Sequence, residues 1–232
     1  MNELNSLENL ESQDAQELVA SVLNGRDAAR ACLTCSFQAE DIIVLHLLRK
    51  TLPRIPVLFL ETGYHFAETY AFRDRLAREW GLNVVNVMPA KSVQAQESEL
   101  GVLHRHNPAE CCRLRKVEPL MRALEPYEVW FTGLRREQSP TRKNLKKIEL
   151  HRLPSGKELL KVNPLADWTW ERVWSYTMAN RLPYLPQYDR GYFSIGCEPC
   201  TTPPIDPQNP RSGRWNGQKL ECGIHTFSER TE

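Results

Sequence analysis

Apolar residues recur at helical spacing from residue 14 to 30, where Ala15, Leu18, Val19, Val22 and Leu23 line one face and Gly25 stands near the end. That spacing predicts an amphipathic helix. The pattern then shortens to an apolar run of strand type from Ala31 to Ser36, followed by a small-residue turn and a return to helical spacing at Ile42, Ile43, Leu45, His46 and Leu48. Val57 to Leu60 reads as a second strand that opens into Glu61, Thr62 and Gly63 and then a helix through Trp80, stopped at Gly81. Asn83 to Met88 is a third strand, and Glu128 to Thr132 a fourth that runs into Gly133, Leu134, Arg135 and Arg136. Strands alternating with helices predict an α/β fold, a mostly parallel sheet flanked by helices. Ligands of such sheets bind at the carboxyl ends of the strands.

Further along, residues 142 to 161 read as a connection with a hairpin around Pro154, Ser155 and Gly156, and Asp167 to Asn180 reads as a helix whose Trp168, Trp170 and Trp174 serve packing. From Thr201 to Gly217 the periodicity is broken by Pro203, Pro204, Pro207, Pro210, Gly213 and Gly217. The expected organisation is therefore one domain over residues 14–200 and a flexible C-terminal segment over 201–232 that carries Cys222. Neither internal repeats nor low-complexity tracts interrupt it.

Composition narrows the function classes. The 232 residues hold 30 Lys+Arg against 29 Asp+Glu, with 41% hydrophobic residues, a balance that excludes disordered and collagen-like chains. No apolar run approaches the roughly 18–20 residues that span a bilayer, and the start is polar and acidic, so no membrane association is expected and the location is expected to be cytoplasmic. Near-zero net charge argues against nucleic acid as a partner, because such proteins carry a surplus of cations. Seven cysteines without a secretory-type start point to metal binding or catalysis in a reducing compartment.

The cysteines fall into separate contexts. Cys111-Cys112 and Cys197-Glu-Pro-Cys200 offer four thiolates, the second pair at the C-x-x-C spacing, which suits an iron–sulfur cluster or a zinc ion. Pro108 suits the first turn of a helix on which Cys112 and Lys116, four apart, share a face. Cys32 and Cys35 have the same C-x-x-C spacing but lie along a strand, where residues three apart point to opposite faces, so they are expected to pack in the core. Cys222 sits within Glu221-Cys-Gly-Ile-His225, near Arg211, Arg214 and Lys219, cations that favour a nucleophilic thiolate. Ser36-Phe-Gln-Ala-Glu-Asp41 opens a helix after the first strand and is placed to hold an anion on backbone N–H groups. It has neither the Walker lysine nor a G-x-G-x-x-G pattern. The three arginines of Thr132-Gly-Leu-Arg-Arg-Glu-Gln-Ser-Pro-Thr-Arg142 suit a doubly anionic substrate.

Taken in order, Ser36 to Asp41, Leu60-Glu-Thr-Gly63, Cys111-Cys-Arg-Leu-Arg-Lys116, Gly133 to Arg142, Ser194-Ile-Gly-Cys-Glu-Pro-Cys-Thr201 and Glu221 to His225 resemble the assimilatory sulfonucleotide reductases, specifically adenylyl-sulfate (APS) reductases of the iron–sulfur type. The resemblance covers nearly the whole chain. It implies an adenine-nucleotide α-hydrolase-like fold whose modified phosphate loop is Ser36 to Asp41. It implies one [4Fe-4S] cluster per subunit on Cys111, Cys112, Cys197 and Cys200, with Cys222 as nucleophile and Lys116 linking cluster and substrate. Ser36, Glu61, Thr62, Gly63, Arg135, Arg142, Arg211, Arg214 and His225 are the implied substrate contacts. Two positions depart from the family pattern: Glu61 replaces an aspartate, and Gln38 stands where glycine is frequent.

The implied reaction is thioredoxin-dependent reduction of APS to sulfite and AMP through a thiosulfonate on Cys222, in sulfate assimilation. Phosphoadenylyl-sulfate (PAPS) reduction, or dual specificity, is the near alternative, although PAPS reductases commonly lack the four cluster cysteines. An iron–sulfur tRNA-thiolating enzyme on a related fold is a second alternative, and it predicts a Ser-Gly-Gly-x-Asp-Ser loop and a basic surface that this chain lacks. A non-catalytic zinc protein would leave Cys222 without a role. A homo-oligomer is compatible with this reading.

Overall fold

A computed structural model describes residues 9–25, 28–206, 209–219 and 221–225. Residues 26 and 27 of the expected first helix, and 207–208, 220 and 226–232 of the expected tail, lie outside the described residues. Helix α1 (Ala15–Gly25) buries Ala15, Leu18, Val19, Val22 and Leu23, the face its spacing predicts. It stops short of residue 30, and Ala28–Arg30 is a separate 3-10 turn.

Six strands form one sheet: β1 (Ala31–Thr34), β2 (Pro56–Leu60), β3 (Asn83–Val87), β4 (Val129–Phe131), β5 (Ile148–Arg152) and β6 (Glu158–Val162). Their order is β3-β2-β1-β4-β6-β5, parallel throughout except that β5 returns antiparallel to β6. The turn at Gly156, with φ of 89°, closes that hairpin. Helices α2 (Ala39–Arg49) and α3 (Ala67–Trp80) cross from β1 to β2 and from β2 to β3. β4 lies on the other side of β1, so the strand order reverses between β1 and β4, where doubly wound sheets open a crevice.

After α4 (Val93–Leu100), helix α5 starts as Pro108–Cys112, widens to a π-helical turn over Arg113–Val117 and continues through Glu118–Leu124. Asn107 caps it by accepting the Glu110 N–H, with Pro108 in the first turn as predicted. Pro119 has no N–H to give the Arg115 carbonyl, and the Glu118 N–H reaches back to Arg113, which gives the wider turn a local cause. Helix α6 (Trp170–Ala179) begins three residues later than the expected 167, because Thr169 is its cap, accepting the Arg172 N–H at 3.1 Å.

The pleat sorts the core into two sides. Cys32, Leu58, Trp130 and Leu159 face Val117, Leu120, Met121 and Leu124 of α5. Leu33, Val57, Phe59, Phe131 and Leu160 join the larger core with α1, α2 and Val173 of α6. Cys35 belongs to that larger core, so Cys32 and Cys35 pack on opposite sides as the strand geometry predicts. Among the described residues no helix is long and apolar enough to cross a membrane. Residues 209–219 and 221–225 rest on the domain: Arg214 and Trp215 are buried, and Ile224 packs against the α5 side of the core.

Candidate functional site

A cavity of roughly 520 Å³ opens where β1 and β4 end, walled by the 34–41 loop, the 132–142 loop, residues 193–196 and the C-terminal segment. The loop after β1 is built around Phe37, a left-handed residue (φ 61°) whose buried ring packs edge-on against Phe59 and Phe72 at 5.8 and 6.4 Å. This anchor turns Ser36 and Gln38 toward the cavity. Both the N–H and the hydroxyl of Ser36 donate to Asp41 at 2.6 Å. Burial pushes the Asp41 carboxyl up to about 6, against the pull of these bonds and of the Gly133 N–H. A Cβ at Gly133 would run into Asp41, so only glycine lets the end of β4 approach α2 this closely. Gln38 joins two walls: its amide donates to Ser36 Oγ at 2.9 Å and its carbonyl accepts the Ile195 N–H at 2.8 Å.

The three arginines after β4 separate. Arg135 is buried and fully engaged, donating to Glu40 at 3.0 Å, to Glu137 at 2.9 Å and to the Trp168 carbonyl at 3.2 Å. Arg136 turns away to Glu11 and the Leu145 carbonyl. Arg142 reaches the cavity and pairs with Glu221 through two nitrogens at 2.9 and 2.5 Å, with Thr141 donating to the same carboxylate at 2.9 Å. Burial works against that carboxylate, yet Arg142 and then Arg211, 3.8 Å away, outweigh it and hold Glu221 below the usual range.

Arg211 and Arg214 each donate to Ser194 Oγ at 3.2 Å, and Arg214 also reaches the Cys200 carbonyl at 3.3 Å. Burial, with Arg142 close by, brings Arg211 down to about 10. The Arg214 guanidinium lies where a Cβ at Gly196 would be, so a side chain there would displace it. His225 stacks on Trp130 at 5.5 Å and 18°, and burial among cations keeps it far below its ordinary value and neutral. Its Nδ1 is buried with no hydrogen-bond partner among the described residues. Cys222 lines the same cavity with Lys116, Arg142, Arg211, Arg214 and His225. Glu61, Thr62 and Gly63 are not on its wall. Glu61 instead accepts the Gly63 N–H at 2.9 Å and the Tyr70 hydroxyl at 2.5 Å.

Thr62 belongs to the cysteine group. The Cys197 thiol lies 3.4 Å from Thr62 Oγ1, and the loop it starts is tied by the Cys200 N–H to the Cys197 carbonyl at 3.0 Å and by the Glu198 N–H to the Tyr64 carbonyl at 2.7 Å. This brings Cys197 and Cys200 to Cys111 and Cys112 on α5. Burial raises Cys111 to about 12 and Cys200 to about 11, and in each case the other cysteines of the group add to the rise. Lys116 is buried beside them; burial would strip its proton, but Cys197, Cys112 and Cys222 together hold the ammonium form. Burial also opposes the Cys197 thiolate, yet Lys116 and Thr62 bring it below the ordinary thiol value. Among the described residues no three Cys, His, Asp or Glu side chains converge on a single ion. Four thiols near enough to influence one another, with Lys116 among them, fit a multi-iron cluster, which takes its thiolates on separate irons.

The sequence does not by itself show Glu221 as the partner of Arg142, Trp130 as the seat of His225, or Gln38 as a tie between loops. Glu221 had a signal, its place beside Cys222 next to an arginine-rich loop; the other two depend on the fold bringing distant segments together.

The phosphoadenosine phosphosulfate reductase domain matches residues 30–203. The chain is 49% identical over 198 residues to a phosphoadenosine 5'-phosphosulfate reductase of Gloeobacter violaceus, covering 83% of this chain and 81% of the relative. It is 45% identical over 194 residues to an adenosine 5'-phosphosulfate reductase of a Geobacillus species, covering 82% and 81%. Among solved structures, a phosphoadenylyl-sulfate reductase of Candida auris in complex with phosphate superposes with a TM-score of 0.71 at 25% identity, covering 84% of this chain and 96% of that one. The FMN adenylyltransferase of Candida glabrata, at 15% identity and a TM-score of 0.62 over 87% and 67%, shares the nucleotide-binding α/β fold. The chain belongs to the phosphoadenosine phosphosulfate reductase family.

Proposed function

We propose that this protein is an oxidoreductase of sulfate assimilation that reduces APS to sulfite and AMP, with Cys222 as nucleophile and a thioredoxin-type dithiol as reductant. The observation that carries this reading is Cys222 on the wall of a cavity that also presents Lys116, Arg142, Arg211, Arg214 and His225, where β1 and β4 of the sheet end. The family supports it, as do relatives that bear the name adenosine 5'-phosphosulfate reductase.

The Cys222 thiolate attacks the sulfur of APS, the S–O bond to AMP breaks, and the enzyme keeps a thiosulfonate on Cys222. Buried arginines and Lys116 neutralise the charge gathering on the departing phosphate oxygen and hold sulfur and nucleophile in line. Arg142 becomes available to the phosphosulfate only when Glu221 yields it. A thiol of the reductant then attacks the Cys222 sulfur, sulfite leaves, and the reductant's second thiol resolves the mixed disulfide. This second step requires Cys222 to be reachable, so the segment around it, residues 221–225, closes over substrate and opens to the partner, on a domain spanning 14–200. Cys111, Cys112, Cys197 and Cys200 would hold a [4Fe-4S] cluster, which when bound supplies a fixed charge that sets the field at Lys116.

The test is sulfite release from APS with reduced thioredoxin, by wild type and by Cys222→Ser. Wild type is expected to release sulfite and the variant none, with iron and acid-labile sulfide retained in both. Sulfite release by Cys222→Ser overturns the nucleophile. The Gloeobacter relative's name favours PAPS as a second reading, and faster release from PAPS than from APS would establish it.

A further inference from the structure

Trp215 has no role in the reaction described above, yet its place is unusual. It and Asn216 are consecutive non-glycine residues in the left-handed region, at φ 47° and 51°, followed by Gly217 at 75°. Such conformations persist in bulky residues only where the surroundings over-determine them. Here they turn a buried indole inward, between the main cavity and a smaller one lined by His104, Arg105 and Cys200. Three cations meet that ring: Arg214 at 4.5 Å from its centre, Lys219 at 4.8 Å and Arg211 at 5.9 Å. Like charges this close repel one another; Glu221, 3.8 Å from Arg211, offsets part of that repulsion, while the Ser194 hydroxyl that accepts from both arginines carries no charge. The face of an indole adds to the offset through its quadrupole, and it does so for Arg214 and Lys219 as well.

We propose that Trp215 is a positioning residue for the reduction: its ring holds Arg211 and Arg214 together on the cavity wall that receives the sulfonate end of the substrate, with Lys219 as a third cation against the ring. The inference rests on the functional reading above and adds to it a residue that acts through the arginines it holds. It requires the electronic character of the ring and not merely its volume, so Trp215→Leu is an ambiguous variant that can lose the turn as well as the charge contact.

The decisive experiment replaces Trp215 alone with tryptophans carrying one to four ring fluorines, which keep the shape and drain the ring face stepwise. Two quantities are followed: kcat and KM for APS in the enzyme with Cys222 intact, and equilibrium binding of APS to the Cys222→Ser protein carrying the same series. The expected result is a KM and a dissociation constant that climb with each fluorine, by about tenfold over the series, with kcat and thermal midpoint little changed. A flat series with APS still bound overturns the role of the ring. If binding follows the series while the Cys222 enzyme releases no sulfite, the ring keeps its role and the reductase reading fails. Failure of APS to bind at all overturns both.

Discussion

Arg135 and Arg142 stand seven positions apart on one loop and answer to different physics. Arg135 is spent on Glu40, a side chain as buried as itself. Removing one partner of such a pair leaves an uncompensated charge, so Arg135→Ala should cost about 3–5 kcal/mol of stability, read as a lower urea midpoint. Arg142 meets a carboxylate that can leave, so Arg142→Ala should keep the fold and raise KM for APS roughly ten- to hundredfold. An unchanged urea midpoint in Arg135→Ala would refute the structural assignment. His151 offers a pH test. Burial, with Lys161 adding to it, lowers its value to about 4, and its ring packs edge-on against Trp130, with Nε2 lacking a hydrogen-bond partner among the described residues. The folded value lies below the unfolded one of roughly 6.5, so the folded state binds fewer protons, and stability is lost as pH falls from 6.5 through 4. His151→Phe should therefore flatten the decline of the urea midpoint across that window, and an equally steep decline would show that His151 does not carry it.

Among the elements, the stretch of the C-terminal segment that carries Cys222 is held by the Glu221 carboxylate on Arg142 and the His225 ring on Trp130. Glu221→Gln keeps the shape and removes the charge, trading a charge-assisted pair for a neutral one. Cys222, identified by peptide mapping, should then be alkylated about tenfold faster in the absence of substrate. An unchanged rate would mean the pair does not control opening. The strands and helices themselves were legible in the sequence because their periods are local: β1 to β4, α2, α3 and the hairpin around Gly156 lie where alternation and turn residues put them, and α1 buries the predicted face although it ends at Gly25 and not at 30. The widened turn over Arg113–Val117 was not. Counting four from Cys112 to Lys116 assumes an unbroken helix, and Pro119 interrupts the ladder from three residues further on. Even so, Lys116 ends among the cysteines, since a helix with one wide turn still carries it to the same side.

For the molecule as a whole, the reversal of strand order between β1 and β4 places three distant segments around one cavity, and the C-terminal segment adds Cys222 as a fourth. Motif order in the sequence pointed to most of that wall, including Ser36, Arg142, Arg211, Arg214, Cys222 and His225. What motif order could not convey is how each polar group is spent. Ser36 gives both donors to Asp41 and Arg135 is consumed by acids, while Glu61 faces Tyr70 outside the cavity. These pairings depend on burial, which only the packed chain defines. The reaction itself comes down to whether Cys222 takes the sulfur from the substrate. Intact-protein mass spectrometry after incubation with APS, and in parallel with PAPS, in the absence of any thiol, reads that step directly. A gain of one SO3 group mapping to the Cys222 peptide, faster with APS and released as sulfite by reduced thioredoxin, is expected. AMP formation with no adduct, or an adduct on another cysteine, would exclude Cys222 as the group that carries the sulfur.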